Sequence, residues 1–516
     1  MKLFKLSTLG TACRVAWCLP LLALVASEVQ AQQAQAERGP LRITPSVRVS
    51  ETLTDNVTLA SKDARQSDWI TTITPSLALT GSTAHSQNSL QVSLNSSLYK
   101  DDTSRNTNYL TMQALSKLDA FDRKLFLDLQ GSISREVVSA FGPRSADGLT
   151  GQANQASVQS FSASPYYRMR FAEGGNAELR YTLTQTHSDA ANYQNTNAGT
   201  WALNAGDPYL TGRLGWSASA SDSTTAYSNR RDVHVRLARL YGLLHLSPEL
   251  TLRLIGGVEG NNYSTTDLDS RTIYGAGFEW KLSPRTRIDG NWEDRFFGAG
   301  YNLNAEHRMS RVVFRSTLSR DVSSSNQNGT AAVTMYDLLM TMFASTITDY
   351  TARDAYVRQY MQSRNLTDTV LGTQQVLSNG ATLLQRAQVS MAIEGVRNTF
   401  AVTASRASRR SVTDQTYSLG TDLSSNTQVD DTTGSAILSH QLTPLTSANV
   451  DLTMTRSVSD GSSGQAVSLR TRRVSLGLNT RLTKQTSVSC SVRNNKGSGN
   501  SEYSENAVVG SVSVQF

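Results

Sequence analysis

Cysteine is almost missing from this 516-residue chain: there are three, and two of them, Cys13 and Cys18, fall within residues 1–31. Without that stretch Cys490 stands alone, so no internal disulfide can staple the fold. Long apolar runs are missing as well. Outside residues 15–26 no segment approaches the roughly 20 apolar residues that a membrane-spanning helix needs. Charge is sparse, at 18% of residues, and nearly balanced. No concentrated basic patch accompanies it, which argues against nucleic acid as a partner.

What the chain does have begins at its N-terminus. Lys2, Lys5 and Arg14 supply a positive start, Val15 to Ala26 a short apolar core, and Val29-Gln30-Ala31 a small-x-small cleavage site. That order is a secretory leader, and cleavage is expected after Ala31. Trp17 before Cys18 argues against a lipidated cysteine. Loss of the leader removes Lys2, Lys5, Arg14 and Glu28, leaving 46 basic and 41 acidic side chains and a net charge of +5.

The rest, 32–516, carries one recurring pattern. Segments of about ten residues alternate apolar with polar and are separated by turn-rich stretches. Leu90, Val92, Leu94 and Leu98 alternate with Gln91, Ser93, Asn95 and Ser97. Leu125, Leu127, Leu129 and Ile133 alternate with Phe126, Asp128, Gln130 and Ser132. Short turns such as Leu246-Ser247-Pro248 and Leu442-Thr443-Pro444 recur, with longer polar loops such as 54–68, 137–155 and 411–429 between them. A mean hydropathy of −0.34 fits a soluble all-β protein and a membrane barrel equally. The short-turn, long-loop asymmetry favours the barrel. The expectation is an all-β fold: a transmembrane antiparallel up-and-down β-barrel of about 22 strands (range 18–24). The first strand falls near 41–53 and the last at 503–516.

The last strand ends on an aromatic. Val508, Gly510, Val512, Val514 and Phe516 share one face. This resembles the closing strand of bacterial outer-membrane barrels, in which the terminal aromatic is part of the signal read by the barrel-assembly machinery. One segment, 331–366, breaks the period of two. Met335, Leu338, Leu339, Met342 and Phe343 fall on one helical face, and Ala352, Ala355, Tyr356 and Tyr360 on another after a Thr348-Asp349 cap. The spacing predicts a helical insertion in an outer-side loop. It would plug the lumen, cap the mouth, dock a partner or pack its two helices on each other.

Basic residues test the barrel. Arg facing lipid at the bilayer midplane costs roughly 2–4 kcal/mol, so strand arginines should oppose the apolar face. Arg287, Asp289, Glu293 and Arg295 oppose Ile288, Gly290, Trp292 and Phe296, while Arg311 and Arg315 oppose Val312, Phe314 and Leu318. These six are the candidate lumen-lining residues. Asp294 falls on the apolar side and requires a rim position. Pro45 and Pro75 cost ladder bonds and are expected near the turn-side rim. Arg472-Arg473 shifts the apolar phase and requires a bulge or a rim.

Two stretches carry a family resemblance. Ser50-Glu51-Thr52-Leu53-Thr54-Asp55-Asn56-Val57, followed by Asp68-Trp69-Ile70-Thr71-Thr72-Ile73-Thr74-Pro75, resembles the opening hairpin of the PEP-CTERM system-associated outer-membrane proteins. So does the later Gly395-Val396-Arg397-Asn398-Thr399 turn, although Leu53 stands where a Tyr is common. The resemblance implies a bacterial outer-membrane setting beside an exosortase system and exopolysaccharide loci. Exopolysaccharide and periplasmic export proteins are the implied partners, and outer-membrane lipid surrounds the barrel. A C-terminal Pro-Glu-Pro tag is missing, so the chain is not expected to be a sorting substrate itself.

No catalytic, cofactor or metal site is expected. The six histidines (85, 187, 234, 245, 307 and 440) are scattered, with neither HExxH spacing nor a Gly-x-Ser-x-Gly elbow. Two functions follow from different classes: a pore or export component for matrix material, or a non-conducting surface scaffold whose loops bind secreted proteins or polysaccharide. A soluble β-solenoid lacks the fixed-length repeat it would need and leaves Phe516 unexplained.

Overall fold

The computed structural model describes residues 41–171, 174–190, 193–228, 230–323, 334–364, 366, 376–378, 380–413, 422–423, 428–460 and 466–516. The expected leader lies outside them. Alternating segments become strands β1 (Leu41–Thr54), β2 (Asp68–Ser82), β3 (Ser86–Tyr99), β4 (Thr107–Ala120), β5 (Leu125–Val137) and β6 (Gln155–Phe171). They continue as β7 (Gly175–Ser188), β8 (Thr196–Thr211), β9 (Leu214–Tyr227), β10 (Arg230–His245) and β11 (Leu250–Asn261). Then come β12 (Asp269–Ser283), β13 (Thr286–Arg295), β14 (Gly298–Arg308), β15 (Val312–Ser323), β16 (Thr382–Glu394) and β17 (Asn398–Ser411). The ring ends with β18 (Gln428–Thr443), β19 (Thr446–Asp460), β20 (Ala466–Arg481), β21 (Thr486–Gly499) and β22 (Tyr503–Gln515).

The fold is a closed 22-strand antiparallel barrel. Each strand pairs with its sequence neighbours, and β1 returns to β22 from Ser46↔Gln515 to Thr54↔Ala507. The Phe516 amide donates to the Pro45 carbonyl at 2.9 Å, extending that seam by one residue. A closed ring leaves no unpaired edge, the condition for crossing lipid with strands. Among the described residues no helix is long and apolar enough to cross a membrane.

Side-chain parity sorts lipid from lumen. Leu254, Leu476, Leu478, Trp201 and Val508 are outward and 73, 49, 50, 53 and 47% exposed. Opposite-parity residues on the loop-end half include Asp431, Glu505, Thr433 and Ser457, all buried. Aromatic pairs flank the outward band at two heights. Tyr181–Trp201 (4.6 Å) and Tyr274–Trp292 (6.1 Å) lie toward the loop end, Phe171–Trp216 (6.2 Å) toward the turn end. Paired interfacial girdles of this kind mark a transmembrane barrel.

Four details differ from, or sharpen, the sequence reading. Pro75 sits mid-strand rather than at a rim: the β2–β3 ladder runs Ile73↔Ser96 and then Ser76↔Ser93, skipping the residue that has no N–H to give. Arg472-Arg473 needs no bulge, because β19–β20 pairing is unbroken from Thr446↔Thr480 to Asp460↔Ala466. Parity alone sends Arg473 inward and Arg472 outward. Asp294 is next to the loop-end terminus of β13, where Arg271 reaches it at 3.3 Å. The connections are less uneven than expected, since 296–297 on the loop end is as tight as any turn.

Candidate functional site in the lumen

A 22-strand ring at about 4.8 Å spacing and roughly 40° tilt encloses a bore roughly 40 Å across. Nothing in the strands alone can fill it, so what the connections do inside decides what the barrel can pass. The 331–366 insertion folds as α1 (Met335–Met342) and α2 (Tyr350–Ser363). Thr334 caps α1 by accepting from the Asp337 amide at 3.2 Å, while the Asp337 carboxylate accepts from the Thr334 amide at 2.9 Å. That reciprocal box fixes the first turn. Asp349 accepts from the Ala352 amide at 2.7 Å at the head of α2. Phe343 packs edge-on against Tyr356 (4.9 Å) and Tyr360 (5.4 Å), joining the two helices. The side chain of Ala355 lies outside the described residues.

The pair sits inside the barrel. Met335, Leu338, Leu339, Met342, Val357 and Tyr360 form one buried cluster with Val313, Ala392, Ala401 and Ile437. Those four wall residues have inward parity, since their strand neighbours Phe314, Ile393 and Leu438 are exposed on the outside. Val313 and Ala392 lie within two residues of the turn-end termini of β15 and β16. β15 reaches the loop end at Ser323, and the buried cluster lies roughly 25 Å below that level, nearly the full strand height. Arg364 fastens its far end, donating to the Gly395 carbonyl at 3.3 Å and approaching Glu394 at 3.8 Å. Burial, aided by Glu394, pushes the Tyr360 hydroxyl pKa up. The sequence reading found both helices and the apolar face of α1 but left their destination open; on α2 the buried residues are Val357, Tyr360 and Met361, whereas Ala352 and Tyr356 of the expected face are exposed.

A second connection enters from the same, loop end. The β5–β6 loop crosses to the inner wall of β18–β22. Arg144 donates to Ser457 Oγ at 3.1 Å and lies 3.8 Å from Asp431, which is itself fully buried and also pairs with Arg409. Asn495 donates to the Arg144 carbonyl at 2.9 Å, and Arg493 bridges Glu505 (2.8 Å) and the loop's Asp147. Burial pushes the Arg144 guanidinium below its usual pKa, against the pull of Asp431. Ala140 and Phe141 pack with Leu423, Val429 and Leu469, and Leu377 from the insertion's return donates to the Val137 carbonyl at 2.9 Å. None of this network was visible in the sequence, because its partners are hundreds of residues apart and no local pattern links them.

Between α1 and the wall of β10 and β13–β16 a cavity of about 720 Å³ remains. Arg239, Arg295, Arg315, Arg320 and Arg386 line it together with Glu293, Asp321 and the helix residue Asp337. Arg295 is held by Glu259 at 2.7 Å, Asp321 at 3.4 Å and Glu293 at 3.7 Å, and Arg239 meets Glu293 at 2.9 Å. Arg315 makes no ion pair among the described residues. Of the six candidate lumen residues, the structure brings Glu293, Arg295 and Arg315 to this cavity. Arg287 and Asp289 share the inward face nearer the turn end, where Arg287 meets Glu279 at 3.2 Å. Arg311 is placed differently, exposed in the β14–β15 turn. The Met309 amide closes that turn on the Val312 carbonyl at 2.7 Å, so β15 starts one residue later.

No family model matches the sequence, and no curated protein does. Solved structures that resemble the chain are barrels. The FrpB iron transporter from Neisseria meningitidis is 9% identical, with 92% of this chain and 82% of that chain covered and a TM-score of 0.48. The siderophore receptor PirA from Pseudomonas aeruginosa gives 9%, 93% and 81%, at 0.43. OpdK from the same organism, crystallised with vanillate, gives 10%, 92% and 99%, at 0.34. Likenesses this distant say nothing of what this chain carries.

Proposed function

We propose that the chain is a bacterial outer-membrane transport barrel that its own connections keep closed at rest, and that it exports exopolysaccharide or other matrix material in a PEP-CTERM/exosortase setting. One observation carries the transport part: an inserted helical pair that lies within the lumen, against the turn-end wall, beside a charged cavity. An insertion meant only to display a surface would have no reason to descend the bore. Five cavity arginines, of which Arg315 and Arg320 make no ion pair among the described residues, suit a polymer with carboxylate, phosphate or sulfate groups. Weak, multiple contacts of that kind hold a chain without trapping it. The exopolysaccharide assignment rests on the resemblance at Ser50–Val57, Asp68–Pro75 and Gly395–Thr399.

Single-channel recording of the purified barrel, with and without residues 331–380, tests the reading alongside matrix export in a deletion strain. Transport predicts a nearly silent full-length barrel, a large conductance after the excision, and impaired export in the strain. An excised barrel that stays silent, together with normal export, overturns it. The second reading, a non-conducting anchor, is favoured by the fastening of the insertion through Arg364. It predicts lost matrix attachment without any conductance in either form.

A further inference from the structure

The outward face of β17–β21 carries charge where an aliphatic side chain would suit lipid. Along β20, Leu478, Leu476 and Val474 face out and are followed by Arg472 and Arg470. Their cross-strand partners repeat the pattern. Arg470 is directly opposite Arg456 on β19, and Arg472 directly opposite Lys496 on β21. Opposed like charges on one sheet face lie only about 5 Å apart at Cβ and destabilise the pair. None of the four forms an ion pair among the described residues. The acids on this outward face are Asp430, which meets Arg406 at 3.7 Å, and Asp460 at the strand terminus. All four cations are exposed.

Height gives the cluster its meaning. Arg472 stands nine residues of strand from Arg481 at the turn end, which at about 3.3 Å per residue and roughly 40° tilt is roughly 23 Å. Arg456, Arg470 and Lys496 come out within about 5 Å of that level by the same reckoning. An outer-membrane barrel's apolar band is about 25 Å tall. The cluster therefore sits at the boundary on the loop side, where hydrocarbon gives way to headgroups. Across the barrel Tyr274 and Trp201 mark the same height on the outside. Two like-charged pairs at a headgroup boundary need anions between them, and phosphate supplies both charge and acceptor oxygens.

We infer that Arg456, Arg470, Arg472 and Lys496 form a binding site for the phosphorylated headgroup of an outer-leaflet glycolipid. The inference rests on the barrel lying in the outer membrane with its loop end outward, and it is independent of what the lumen carries. In the test, the full barrel in uncharged detergent is titrated with bisphosphorylated lipopolysaccharide and with the same lipid after dephosphorylation. The wild type should bind the phosphorylated form more tightly. Combined Arg456→Gln, Arg470→Gln, Arg472→Gln and Lys496→Gln should weaken that binding roughly tenfold or more. It should leave heat-modifiable migration intact and leave binding of the dephosphorylated lipid unchanged. Melting supplies a second readout with opposite signs. Without lipid the variant should melt no lower than wild type, because repulsion is relieved, whereas the phosphorylated lipid should raise only the wild-type Tm. Equal binding of the two lipids by wild type, or undiminished binding by the variant, overturns the site while leaving the conductance experiment unaffected. A barrel recovered outside the outer membrane removes the premise of both.

Discussion

Leu338 and Leu339 are fully buried among the inner-wall residues Val313, Ala392, Ala401 and Ile437 and the second helix. Truncating a buried leucine to alanine costs about 2–5 kcal/mol. The two are neighbours and their effects are not additive, so about 4 kcal/mol for the pair is a fair figure. At 1.4 kcal/mol per tenfold, Leu338→Ala with Leu339→Ala lowers the ratio of docked to undocked insertion roughly a thousandfold. The strand ladder is untouched, and so are the Thr334–Asp337 box and the Phe343 ring contacts. The barrel should keep its melting temperature and its heat-modifiable gel shift. In planar bilayers the double variant should show frequent openings where wild type is silent. Trypsin added from the loop side should cut at Arg353, Arg358 or Arg364 faster than in wild type. The decisive adverse result is rapid cleavage without openings. It would show that the helices have left the wall while the bore stays shut, and that they are not the gate.

Asp431→Ala removes the buried carboxylate shared by Arg144 and Arg409 and leaves two guanidiniums without it. A loss of about 3–5 kcal/mol is expected, read as a lower Tm and faster proteolysis within 138–154. In the barrel lacking 331–380, Arg315→Glu should shift the reversal potential in a salt gradient toward cation preference, while Arg311→Glu in the exposed turn should shift it less. Leu476→Arg, near the middle of the outward band, should destabilise the barrel in lipid by about 2–4 kcal/mol in urea titrations; the same change at inward Ser475 should cost less. Removing Phe516 deletes an aromatic and its bond to Pro45, and should reduce the fraction assembled in cells without altering barrels already folded.

The strands were legible because a wall with lipid on one side and water on the other imposes a period of two on every segment. The alternation from Leu90 to Leu98 and from Leu125 to Ile133 states it directly, and Phe516 marks the final strand. The same rule placed Arg287, Asp289, Glu293, Arg295 and Arg315 on the inward side. It misplaced Arg311, where a turn rather than a strand sets the side chain's direction. The two helices and the buried face of α1 were legible from the 3.6-residue spacing, whereas the face of α2 was set one residue off, on Ala352 and Tyr356 instead of Val357 and Met361. Their docking was not, because Val313, Ala392, Ala401 and Ile437 look like ordinary strand residues until the ring closes. Pro75 misled for a similar reason: a ladder can skip one residue mid-strand, so the cost of proline need not send it to a rim.

The positions of those docking partners also order events in time. Helices that emerge between β15 and β16 settle on residues of β17 and β18, and the loop after β5 is gripped by strands β18 to β22. Each stopper precedes in the chain part of the surface that receives it. A growing or half-inserted chain is therefore open throughout, and shuts only when its final hairpins arrive. Sealing is then a late event coupled to completion of the wall, and a barrel stalled before β18 would leak.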